Sequence, residues 1–250
     1  MKRIIISDGG NLQETLKICE KFNLGVTVSS FAEPDNFENK TNVINDILKV
    51  YNNVDIFSIH GPMHDLNFGS KDSLIREVTA KRYELAYEVS NVLKCKSIIV
   101  HNGYVPGTSF PANWVKRAKA FWDIFLSNKH NDTIFYIENL LEHNPDIIID
   151  VINSVDNNCL KMCFDIGHAN VFSKIKITEW IKRVNKNIGY VHMHNNYGEK
   201  DEHNGLNNGN INIKEICEVL EQYCPDAVWD LETGEKEKSI EWLIENDYIK

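Results

Sequence analysis

Short runs of β-branched and apolar residues alternate with longer stretches of helical period along the chain. Residues 3–7 ("RIIIS"), 24–30, 54–60, 97–101, 133–138, 161–165, 188–194 and 227–232 are the strand-like runs. Between and after them lie amphipathic segments at 12–22, 40–51, 73–93, 114–126, 145–153, 177–185, 213–223 and 238–246. In the second of these, Val43, Ile44, Ile47, Leu48 and Tyr51 form one stripe at helical spacing. In the longest, Leu74, Ile75, Val78, Leu85, Ala86, Val89, Val92 and Leu93 are expected to form the buried face.

Eight strand–helix units in succession predict one (β/α)₈ barrel domain spanning residues 1–250. A doubly wound open sheet would call for a glycine-rich phosphate turn after the first strand. "SDGGN" matches G-x-G-x-x-G poorly. No linker or low-complexity run interrupts the alternation.

Composition narrows the function classes. With 250 residues, 42% of them hydrophobic, the chain can bury a full core without staples. A net charge of −9 argues against a protein that grips nucleic acid with a broad basic face. Only Arg3, Arg76, Arg82, Arg117 and Arg183 are arginines, the side chain best suited to bidentate phosphate recognition. Six cysteines without a C-x-x-C pair read as reduced, buried thiols. The opening "MKRIIISDGG" is too short in its apolar part for a secretory signal, and no run approaches a membrane span. A cytoplasmic protein with no membrane partner is the expectation.

In a barrel the active site sits at the carboxyl ends of the strands, so the residues ending each strand carry the functional reading. The third strand ends in His60, the fourth in His101, the fifth in Glu138 and the sixth in Asp165, with His168 just beyond. The seventh supplies His192 and His194, its loop Asp201 and His203, and the eighth Glu232. Strands one and two offer only Asp8. So many acids and imidazoles on one face repel one another unless cations lie between them, and carboxylate and neutral imidazole are ordinary ligands of divalent ions.

His192 and His194 are two apart and point to one side of their strand, so one of them is expected to ligate. Of Asp230 and Glu232, the latter is nearer the carboxyl end. Tyr190 and Trp229 read as packing, while His130 and His143 need no function. His64, His194 and Tyr104 are candidate substrate contacts, and Phe31, Phe110 and Trp114 could border the pocket or pack between loops.

From about residue 54 to 233 the motifs "HGPMHDLNFGSKD", "VHNGY", "IEN", "FDIGHAN", "VHMHNN…DEH" and "DLET" follow in order. In this series the chain resembles the xylose-isomerase-like TIM barrels. That superfamily holds the sugar phosphate isomerases and epimerases as well as AP endonuclease family 2, with endonuclease IV.

The isomerase branch implies one divalent ion, zinc or manganese, on Glu138, Asp165, His192 and Glu232. It also implies Glu138 and Glu232 as the catalytic pair moving a proton on a small carbohydrate substrate. The endonuclease branch implies a larger set, adding His60, His101, His168, Asp201 and His203, that binds two or three zinc ions and hydrolyses a phosphodiester in nucleic acid.

Three details depart from the endonuclease pattern. His192-Met193-His194-Asn195 stands where H-x-N-D is usual, Ile166-Gly167 where a threonine and cysteine separate acid from histidine, and Met63 where an aromatic wedge enters DNA. A metal-dependent sugar isomerase or epimerase is the leading expectation, with an endonuclease IV-like phosphodiesterase as the alternative.

Overall fold

The computed structural model describes residues 3–249, and in it eight parallel strands close into a barrel in sequential order. Strands β1 (Ile4–Ser7), β2 (Gly25–Val28), β3 (Ile56–His60) and β4 (Ser97–His101) form one half. The other half is β5 (Ile134–Glu138), β6 (Leu160–Asp165), β7 (Ile188–His192) and β8 (Val228–Leu231). The outer layer is α1 (Leu12–Phe22), α2 (Lys40–Val50), α3 (Ser73–Leu93), α4 (Pro111–Leu126), α5 (Asp146–Val155), α6 (Ile166–Phe172), α7 (Ile177–Val184), α8 (Ile213–Tyr223) and α9 (Lys236–Glu245).

Every strand buries both faces, which is why the runs read as continuous apolar stretches rather than alternating ones. One core lies between sheet and helices, where Phe68, Tyr83, Phe121, Trp122 and Phe135 pack ring on ring. A second, smaller core of Ile5, Ile99, Tyr136, Cys163, Tyr190 and Val228 fills the barrel interior. All six cysteines are buried. Among the described residues no helix is long and apolar enough to cross a membrane.

Two elements differ from the sequence reading. In α3 the buried face is Thr79, Tyr83, Ala86, Tyr87, Val89, Ser90 and Leu93, while Leu74, Ile75, Val78 and Val92 are exposed. The tyrosines carry the larger apolar surface and lie on the other stripe, so they set the helix's rotation. The short helix α6 was not expected, because "IGHAN" is too brief to show a period. It forms because Asp165 caps it, the carboxylate accepting the His168 N–H at 2.6 Å.

Register aligns the strand ends. His101 pairs with Glu138 across β4–β5 and Asp165 with His192 across β6–β7, so these side chains leave the sheet at matching heights.

Candidate metal centre

Glu138 stands at the middle of the cluster, almost wholly buried. Its Oε1 lies 3.3 Å from His192 Nδ1, and its Oε2 lies 3.3 Å from His60 Nε2 and 3.7 Å from His101 Nε2. His192 Nδ1 is also 3.0 Å from Glu232 and 3.6 Å from Asp165. A third set lies further out, where Asp201 Oδ2 is 3.1 Å from His168 Nε2 and 2.9 Å from His203 Nε2. Ligand atoms held about 2.0–2.1 Å from a tetrahedral zinc lie about 3.3 Å from one another, close to the spacing within each set.

Three groups of donors therefore fit a divalent ion by distance: His60, His101 and Glu138; Glu138, Asp165, His192 and Glu232; and His168, Asp201 and His203; two further sets that fit overlap them, Glu138, Cys163 and His192, and His194, His203 and Glu232. Glu138 belongs to the first two, offering one oxygen to each. Its Oε2 and both ring nitrogens of His192 are buried without a hydrogen-bond partner. Such orphaned donors and acceptors are expensive in a protein interior, and a bound cation would take up the lone pairs among them.

The backbone presets several imidazoles. The Nδ1–H of His60 donates to Gly61 O at 2.9 Å, that of His168 to Asn139 O at 2.8 Å, and that of His203 to Glu232 O at 2.8 Å. Each bond holds a proton on Nδ1 and turns Nε2 toward a carboxylate, the orientation common to metal-ligating histidines. His203 adopts φ +49°, a left-handed backbone that β-carbon-bearing residues seldom take, and it does so at the point where its ring must face Asp201.

Charge follows the same lines. Burial disfavours the Glu138 carboxylate, yet His192 and His101 beside it hold its pKa well below the usual range. Burial likewise opposes Asp165, and His168 and His194 bring it well below. Glu232, desolvated but facing His192, falls to about 2. Asp201 is partly desolvated too, and His168 and His203 lower it. Burial works against imidazolium at His203, but Asp201 raises it to about 9; at His101 burial wins and lowers it to about 4.

Beneath the cluster, inside the barrel, Asp230 is fully buried and accepts hydroxyls from Thr27 at 2.5 Å, Tyr190 at 2.8 Å and Ser7 at 3.1 Å. Tyr190 thus packs with its ring and binds with its hydroxyl, which the pattern of apolar residues could not reveal. Asn139 acts as a strap: its amide accepts from Asp165 N and donates to Asp165 O, both at 2.9 Å, tying the end of β5 to that of β6. Asn195 folds the Gly- and Asn-rich loop on itself by binding Leu206 O, Ile211 O and Ile211 N, and so positions the segment carrying Asp201 and His203.

The expected substrate contacts lie differently. His194 is wholly buried, with Nε2 3.1 Å from both oxygens of Asp165 and its ring stacked on His203 at 4.1 Å. Both His192 and His194 lie in the cluster, His192 among the inner donors and His194 against Asp165 and His203. The chain leaves the barrel after Met193, whose N–H donates to Asp230 O, and the second ring swings over the outer set. Tyr104 packs edge-on against Trp114, and half-exposed His64 pairs with Glu33 at 3.3 Å. Neither makes a hydrogen bond or ring contact with the cluster among the described residues. Phe31 and Trp114 are core residues, whereas Phe110 is exposed. Asp8 brackets a turn, accepting N–H groups of Gly10 and Ser29.

A family model described as "Xylose isomerase-like TIM barrel" matches residues 30–246. The uncharacterized protein MJ1311 of Methanocaldococcus jannaschii is 29% identical over 189 residues, 70% of this chain. That match spans 63% of the relative's own length. Among solved structures, the TTHB071 protein of Thermus thermophilus, soaked with ZnCl2, superposes with a TM-score of 0.81 at 21% identity, covering 97% of each chain. A D-tagatose 3-epimerase-like protein reaches 0.75 at 24% identity, over 98% of this chain and 96% of that one. Further neighbours bear the names of sugar epimerases, among them L-ribulose 3-epimerase. At these identities the structures share the fold.

Proposed function

The chain belongs to the xylose isomerase-like TIM barrel family, and from that premise and its donor geometry we propose that it hydrolyses phosphodiesters with more than one divalent ion. The observation that carries this reading is Glu138, whose two oxygens serve two separate donor groups while His168, Asp201 and His203 make up a third. A single ion on Glu138, Asp165, His192 and Glu232 leaves that outer group without a purpose.

When bound, such ions supply Lewis acidity and lower the pKa of water to near neutrality. The chain's own residues provide the rest. His60, His168 and His203 are held by backbone carbonyls so that little reorganisation is needed on binding. Glu138 and Asp165, buried and ionised, keep the interior electrostatics strong.

A second reading, the single-ion sugar epimerase, is favoured by one observation. Glu138 and Glu232 approach the same His192 nitrogen at 3.3 and 3.0 Å, so two carboxylates flank one position, as proton removal and return require. The names of the structural neighbours point the same way.

Metal content of protein purified without chelator separates the readings, together with two activity assays. Two or three ions per chain with cleavage of bis(p-nitrophenyl) phosphate or nicking of an abasic-site duplex is the expected result. One ion per chain, with solvent deuterium entering a ketose and no phosphodiester cleavage, would refute the hydrolase reading in favour of the epimerase.

A further inference from the structure

Gly167 and His194, two of the positions where this chain departs from the endonuclease pattern, meet in space. A Cβ placed on Gly167 would lie 1.9 Å from Cε1 of His194, 2.5 Å from its Nδ1 and 2.6 Å from its Nε2. His194 is wholly buried, so its ring has nowhere to retreat. Nothing in the backbone asks for glycine here. Gly167 lies inside α6 without a positive φ, where glycine is less favourable than alanine by about 0.5–1 kcal/mol. Room for the His194 ring is what the missing side chain provides.

The ring uses that room in two ways. Its Nε2 faces both oxygens of Asp165 at 3.1 Å, and its plane lies 8° from that of His203 at 4.1 Å. Asp165 Oδ1 also accepts the His168 N–H at 2.6 Å. The carboxylate's rotation is thereby set, and Oδ2 is the oxygen 3.6 Å from both His192 Nδ1 and His168 Nδ1.

We propose that His194 is a positioning residue of the metal centre, admitted by Gly167: its Nε2–H holds the Asp165 carboxylate in its ligating orientation while its face braces His203. The proposal rests on the reading that Asp165 and His203 bind ions, and not on which reaction those ions serve.

The test uses the full chain and four variants, Gly167→Ala, His194→Ala, His194→Gln and the double Gly167→Ala/His194→Ala. Zinc affinity is measured by competition with a chromophoric chelator, and melting is followed in metal-free protein. His194→Ala should weaken zinc binding about 10- to 100-fold, as losses of groups that orient ligands do, and His194→Gln, which keeps an amide N–H in reach, should stay within about 3-fold of the parent. Gly167→Ala should lower the metal-free melting temperature or abolish folding, and adding His194→Ala to it should restore a folded protein.

Unchanged zinc affinity in His194→Ala, or equal losses in the alanine and glutamine variants, would overturn the positioning role. A Gly167→Ala defect that His194→Ala does not relieve would overturn the pairing. A parent that binds zinc but cleaves no phosphodiester refutes only the hydrolase reading, whereas a parent that binds no zinc overturns both.

Discussion

Replacing His203 by alanine separates a single-ion centre from a larger one. The substitution removes the Nε2 that lies 2.9 Å from Asp201, leaving His168 and Asp201 as a two-donor remnant. It also deletes the Nδ1–H bond to Glu232 O and the stack on His194. For a ring still about a third exposed, those losses come to about 1–2 kcal/mol in metal-free protein, or a melting shift of roughly 2–8 °C in a chain of this size. The larger effect concerns the ion. At a free zinc concentration 100-fold above Kd, one site stabilises the native state by about 2.7 kcal/mol, and the variant should forfeit that increment while keeping what the inner group contributes. The assays are zinc per chain by elemental analysis and the zinc-induced rise in melting temperature. Loss of one ion, a smaller rise and lost phosphodiesterase activity are expected. Unchanged zinc content, rise and turnover would show that the outer group holds nothing.

Glu138→Gln should abolish turnover under either reaction, by at least about 10³-fold, and should reduce zinc content because its carboxylate is shared by two donor groups; a variant retaining a tenth of parental activity contradicts that role. Asn139→Ala should lower stability by about 1–3 kcal/mol, since it strands the buried N–H of Asp165; urea unfolding with a midpoint equal to the parent's would exclude the strap. In chelated protein, the His203–Asp201 pair should make stability pH-dependent. The folded pKa of His203 is raised from 6.5 to about 9, so its contribution is full below pH 6.5 and disappears as pH rises through 9. Partial exposure reduces the expected loss from the roughly 3 kcal/mol implied by that shift to about 1 kcal/mol. Denaturant titrations at pH 6 and 9.5 measure it, and a chelated protein equally stable at both pH values would contradict it.

The strand ends were legible because a parallel barrel imposes a simple rule. Each apolar run terminates at the same face, so His60, His101, Glu138, Asp165 and His192 could be named from the letters alone. Helix rotation was less legible, as α3 shows: Leu74, Val78 and Val92 matched a helical stripe, but Tyr83 and Tyr87 claimed the interior. The roles of Asn139, Asp230 and Tyr190 escaped notice for another reason. They depend on partners 26 to 223 residues away in sequence, and no local period records such a meeting.

Local chemistry along the chain determined the alternation of elements, the barrel they close into and the supply of acids and imidazoles at one rim. Only tertiary structure decided how those groups are divided. The two oxygens of Glu138 facing different histidines, the backbone carbonyls orienting three imidazoles, and the His194 ring lying over Gly167 all depend on distances of a few ångströms between separate strands. Sequence can state which donors reach the rim, because side-chain direction follows strand period. Which donors share an ion depends on barrel closure and loop packing, which bring together residues that the chain keeps far apart.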